Sequence, residues 1–94
     1  MARCSGCSVS LTPMTTDAMA YNKMNVFHWH ITDAESFSFG SEAHPELPQE
    51  GAYSPDAVYT IDDINSIISY AHDRGVLVMP EVDVPGHTAS WGQV

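Results

Sequence analysis

Three residues just past two apolar runs carry most of the chemistry this sequence can offer. Asp33 follows Asn25 to Ile31, and Asp83 and His87 follow Val76 to Val82. A histidine flanked by carboxylates can hold a charge or a fixed tautomer near neutral pH, which proton transfer or the support of a neighbouring acid requires. Each also has a structural role open to it. Asp33 could be a turn or helix-cap residue, and His87, behind Pro85-Gly86, could fill a tight turn. Glu81 could simply pair with a neighbour inside a sheet. His44 and His72 read as surface residues, His72 on the polar side of a helix.

His28-Trp29-His30 sets two imidazoles on one face of a strand, the arrangement by which two histidines reach a single metal. A metal-dependent hydrolase using His28 and His30 is therefore a rival reading, with Asp33, Asp83 and His87 as the further ligands the chain could supply. Loss of bound zinc on His30→Ala would decide for it. Cys4 and Cys7 form one Cys-Ser-Gly-Cys step without the second pair or the histidines of a closed zinc site. They lie in a Ser/Thr-rich stretch and not at the start of a helix after a strand, so a redox role lacks its setting.

The elements that must position these groups follow from periodicity. Asn25 to Ile31 is rich in β-branched and aromatic residues and reads as a strand. Phe27, Trp29 and Ile31 point one way and Val26, His28 and His30 the other, as in a sheet covered on both faces with parallel neighbours. Thr60-Ile61-Asp62-Asp63 has capping-box spacing, with the Thr60 hydroxyl placed to accept from the backbone N–H three residues on. Ile61, Ile64, Ile67, Ile68 and Ala71 then form one helical stripe, which Arg74 and Gly75 close. Val76 to Val82 reads as a buried parallel strand, an expectation of burial, whose pairing should loosen toward Pro80. The 27 residues from Asp33 to Tyr59, with three prolines and no sustained period, form a long loop of the functional kind, with a turn at Tyr53-Ser54-Pro55-Asp56.

Upstream, from Thr16, Met19, Ala20 and Met24 fit the last turns of a helix whose earlier turns need not be part of this chain. Residues 1–14 lack a hydrophobic period and read as an atypical, disordered leader, leaving 15–94 as the ordered part. The class is α/β: one right-handed βαβ crossover with a helix in front. Two parallel strands leave open edges and a bare sheet face, so a complete domain needs more strands.

The chain has 94 residues, 44 % of them apolar, with six glycines and six prolines. That is enough for a core, but far below the roughly 250 residues of a closed eight-stranded α/β barrel. Twelve acidic against three basic residues give a net charge of −9. This charge repels nucleic acid and anionic membranes, so neither is an expected partner. No apolar run approaches the roughly 20 residues of a spanning helix, and Met1 to Met14 lacks the apolar core of a secretory signal.

In combination, the run from Asp17 to Asp33 with its Asn-Val-Phe-His-Trp-His-Ile-Thr-Asp, then Ser36-Phe37, Gly51-Ala-Tyr-Ser54, Tyr59-Thr60, Arg74-Gly75, Glu81-Val-Asp-Val-Pro-Gly-His87 and Ser90-Trp91-Gly92, resembles the β-N-acetylhexosaminidases, the family 20 glycoside hydrolases. The resemblance spans about Thr16 to Gly92. It implies a partial (β/α)₈ TIM barrel: the end of helix 1, strand 2, its long loop, helix 2 and strand 3. It also implies hydrolysis of terminal non-reducing N-acetylglucosaminide or N-acetylgalactosaminide residues with retention, the substrate's own acetamido oxygen acting as nucleophile. No metal or cofactor takes part in that mechanism.

By motif position, Asp33 and His87 resemble the family's supporting, substrate-binding residues around the acid and the sugar. Asp83 resembles the acid that steadies the orienting aspartate. The family's catalytic Asp-Glu pair lies on the fourth strand and its sugar-gripping arginine at the end of the first, and neither has a counterpart here. Ala34 stands where many members carry a second acid. The expectation is a chain inactive alone, with a non-catalytic barrel remnant or interaction module as the alternative. The resemblance further implies lysosomal, vacuolar or extracellular location and full-length members that are often dimeric.

Overall fold

The computed structural model describes residues 11–93. In chain order the elements are α1 (Leu11–Tyr21), β1 (Val26–His30), α2 (Glu46–Gly51), α3 (Ile61–Asp73) and β2 (Leu77–Glu81), with 3₁₀ turns at Pro55–Ala57 and Ala89–Gln93. Cys4, Cys7 and the expected leader up to residue 10 lie outside the described residues.

Alternation sets the orientation of β1. Phe27 and Trp29 are buried, Val26 is exposed, and His28 and His30 are half-buried on the opposite face, as their parity requires. β2 runs parallel to β1, with Val26 opposite Leu77, His28 opposite Met79 and His30 opposite Glu81. The expected loosening at Pro80 does not occur, since Pro80 keeps register with Trp29. The reason is again parity. Leu77 donates to the Asn25 carbonyl at 2.8 Å and Glu81 accepts from Ile31 N–H at 3.0 Å, so odd-numbered residues of β2 face β1. The proline nitrogen, one residue out of phase, faces the outer edge, where it removes no bond to β1.

α3 starts and stops as its sequence dictates. The Thr60 Oγ1 accepts from the Asp63 backbone N–H at 3.1 Å, and the Asp63 carboxylate accepts from the Thr60 backbone N–H at 3.0 Å. At the far end Gly75 adopts φ +70°, Gly75 N–H donates to the His72 carbonyl, and Val76 N–H to that of Ala71. This is the Schellman closure, which a residue with a side chain adopts only at a cost. The buried stripe is narrower than expected: Ile64, Ile67 and Ala71 face the core, whereas Ile61 and Ile68 are 38 % and 46 % exposed.

Two expectations need correction. Residues 11–14, expected to belong to the leader, are helical, since α1 covers Leu11–Tyr21. The stretch from Asp33 to Tyr59 is not a plain loop. It holds α2, which follows Pro45 and carries Pro48 in its first turn, and a 3₁₀ turn where a simple turn is expected. Bridges pair Thr32 with Phe37 and Phe39 with Tyr59, and Phe37 N–H donates to the Gly51 carbonyl at 2.7 Å.

The core lies between β1 and the helices. Trp29 is its centre, meeting Tyr59 edge-on at 5.0 Å and Phe39 at 5.5 Å between ring centroids. Met19, Phe27, Ile31, Phe37, Ile64, Ile67, Ala71 and Val76 are buried around it. α1 is tied to α3 through Asp17, which accepts from Tyr70 Oη at 2.7 Å and from Arg74 Nε, while the Arg74 guanidinium lies 3.3 Å over the Tyr70 ring.

Candidate functional site

The histidine face of β1 and the end of β2 deliver four titratable side chains to one place. Register sets His30 opposite Glu81, and side chains two residues apart share a face, so His28, His30, Glu81 and Asp83 interleave. His28 Nε2 lies 2.7 Å from Glu81 Oε2, and His30 Nε2 lies 2.7 Å from Asp83 Oδ2 and 3.7 Å from Glu81 Oε1. The bland reading of Glu81 is thus the observed one: it pairs across the sheet.

Asp83 is held from two directions. Its backbone N–H donates to Thr32 Oγ1 at 3.0 Å, and Thr32 is fully buried. The His30 hydrogen bond, foremost, and the charges of His30 and His87 keep the Asp83 carboxyl below the usual carboxylate range, against the opposing effect of desolvation. His87 comes from the turn after β2. It adopts φ +59°, an uncommon conformation in which histidine is several-fold enriched among residues with side chains. Thr88 Oγ1 donates to the Pro85 carbonyl at 2.6 Å across that turn. The His87 ring stands edge-on to His30, 5.1 Å between centroids. Farther on, Ser90 N–H donates to the Ala34 carbonyl at 3.0 Å, and Trp91 meets Phe37 edge-on at 5.7 Å, fastening this segment to the stretch after β1.

Of the residues picked out by sequence, the structure brings Asp83 and His87 together through His30. Asp33 sits next to Thr32 at the end of β1, half-buried, its backbone N–H donating to the Ser36 carbonyl at 3.2 Å. It does not belong to the group formed by His30, Asp83 and His87, whose ligand-type atoms lie within 4.8 Å of one another. The pairing of His28 with His30 on one metal is not what the geometry offers, because the His28 ring is turned to Glu81. Sequence reasoning missed His30 as the link and Thr32 as the anchor. The signal lay in parity, since His30 and Asp83 share a face once the register is known.

A parallel strand–helix–strand unit with its polar groups past the carboxyl ends of the strands is the repeating element of the (β/α)₈ enzyme barrels, here in part. The chain matches the catalytic domain of glycosyl hydrolase family 20 over residues 8–94, and it belongs to that family. It is 52 % identical over 85 residues to the human beta-hexosaminidase subunit beta, covering 90 % of this chain and 15 % of that protein. The cat subunit beta is 54 % identical over 79 residues, with 84 % and 15 % covered.

Among solved structures, the beta-N-acetylhexosaminidase of Bacteroides fragilis superposes with a TM-score of 0.83 at 34 % identity, over 90 % of this chain and 19 % of that one. The exo beta-N-acetylglucosaminidase of Vibrio harveyi in complex with N-acetylglucosamine gives 0.82 at 31 % identity, over 90 % and 16 %. The chain thus spans about 15 % of the length of the curated relatives it matches. Among the described residues no helix is long and apolar enough to cross a membrane.

Proposed function

We propose that these residues form part of the active-site wall of a β-N-acetylhexosaminidase, which removes terminal non-reducing N-acetylhexosamine by the substrate-assisted retaining route. The observation that carries this reading is the His30–Asp83 bond with His87 beside it, at the carboxyl ends of two barrel strands in a family 20 chain. Asp83, kept ionised by His30, steadies the aspartate that orients the acetamide. His87 and Asp33 support the general acid and the terminal sugar. Carboxylates near a general acid raise its pKa, which keeps its proton available for the leaving oxygen near neutral pH.

The 94 residues contain no adjacent Asp-Glu. On this reading they supply the support and not the acid, and they hydrolyse nothing by themselves. Val26, Leu77 and Met79, exposed on the histidine face of the sheet, are covered in a complete barrel by its other strands. Glycosidic substrates reach the rim in lysosomal, vacuolar or extracellular settings.

The test is a chimera in which residues 16–92 replace the corresponding stretch of the human subunit beta, assayed on a chromogenic terminal N-acetylglucosaminide. Hydrolysis by the chimera and none by the isolated chain is the expected pair of results. A folded chimera without activity overturns the assignment.

A further inference from the structure

We propose that His30, Asp83 and His87 form a binding site for a divalent transition-metal ion of the zinc class, one that occupies the support network and does not serve the chemistry. Two imidazole nitrogens and one carboxylate oxygen are the donor set that zinc, copper and nickel prefer, and calcium and magnesium do not. One such atom from each residue lies within 4.8 Å of the others.

Tetrahedral zinc holds ligands at about 2.0–2.2 Å, hence roughly 3.4 Å apart. His30 Nε2 and Asp83 Oδ2, now at 2.7 Å, need only part slightly as the ion takes the place of the shared proton. The His87 ring, exposed and edge-on to His30, needs only to turn inward. The backbone under the three groups is already fixed by the β1–β2 ladder, by the bond from Asp83 N–H to Thr32 and by the Thr88–Pro85 contact. Glu81, with Oε1 3.7 Å from His30 Nε2, adds a negative charge just outside the ligand set. His30 and Asp83 keep 10 % and 34 % of their side-chain surface, so a fourth position stays open to water.

Binding draws on this chain's own residues. Inhibition by the ion rests on the glycosidase reading, because an ion held by Asp83 and His87 removes both from the catalytic groups they support. Zinc chloride is titrated calorimetrically into the chain carrying Cys4→Ser and Cys7→Ser, so that the N-terminal thiols contribute nothing. A single site is expected, weakened about tenfold or more by His87→Ala and unchanged by His44→Ala.

The second arm is the human subunit beta chimera, crystallised with zinc and measured at the zinc absorption edge. An anomalous peak among His30, Asp83 and His87 supports the site. No peak there, or His87→Ala binding zinc as tightly as its parent, overturns it. Chimera activity without zinc is read separately, so failure of the glycosidase assignment and failure of the metal site are distinguishable.

Discussion

His30 and Asp83, from neighbouring parallel strands, share a hydrogen bond of 2.7 Å, while Asp83's own backbone N–H is held by the buried Thr32. Asp83 is therefore fixed at both ends, its carboxylate by the His30 side chain and its backbone N–H by the Thr32 hydroxyl. A group held this way changes little on binding and acts as a fixed electrostatic reference for what packs against it.

Asp83→Asn keeps the shape and removes the charge. In the human subunit beta chimera, on the proposal that Asp83 steadies the orienting aspartate, it should lower kcat on the order of 10²-fold with little change in KM, as loss of a charge acting in the transition state more than in binding does. His30→Gln should give a smaller loss in the same direction, as a positioning residue does. Steady-state kinetics of both variants decide this. A rise in KM with kcat retained would assign Asp83 to ground-state binding.

Acid should loosen the fold in a defined sense. Asp17, through its bonds to Tyr70 and Arg74, Asp63, through Thr60, and Asp83, through His30, all have carboxyl pKa values below their ordinary ones in the folded chain. A carboxylate whose folded pKa is depressed contributes stability that is complete above its unfolded pKa and lost as pH falls through the folded value. The urea midpoint should thus hold steady from pH 7 to about 5 and fall below about pH 4. A midpoint that rises on acidification contradicts these pairings.

Gly40 is required by a close approach and not by its dihedral angles. A Cβ there would sit 2.7 Å from the Tyr59 carbonyl oxygen, which already accepts from Gly40 N–H at 2.8 Å. Gly40→Ala must push the Phe39–Tyr59 bridge apart and strip two rings from Trp29, at about 1–3 kcal/mol by analogy with core overpacking. Tryptophan fluorescence during urea unfolding reads both effects. The expected outcome is an earlier transition with a red-shifted folded-state emission.

The elements legible in the sequence are those fixed by local patterns. The Thr60 cap, the Gly75 closure and the alternation of Phe27 and Trp29 against His28 and His30 each involve residues within a few positions of one another. Partner choice across 53 residues was not legible, because it depends on register: one step of slip would give His30 another partner than Asp83. The short helix after Pro45 was hidden for a different reason. Six residues with a proline in the first turn carry no period, and α2 is tied to the rest of the fold by the bond from Phe37 N–H to the Gly51 carbonyl. Pro80 misled because its effect on a strand depends on which edge its nitrogen faces.

Ile67 and Ile68 give the sharpest test of how α3 is oriented. They are adjacent and identical in type, yet Ile67 is 3 % exposed and Ile68 46 %. A helix turns about 100° per residue, so one points at Trp29's layer while the other stands at its margin. Ile67→Ala should cost about 2–5 kcal/mol, the range for a buried isoleucine whose cavity cannot fully collapse. Ile68→Ala should cost well under about 1 kcal/mol, since little apolar surface is returned to water and alanine is the better helix former. Thr60→Ala falls between them at roughly 1 kcal/mol, through loss of the cap. Paired urea titrations give the order Ile67, Thr60, Ile68. Equal losses at the two isoleucines would mean that α3 is rotated from the orientation described.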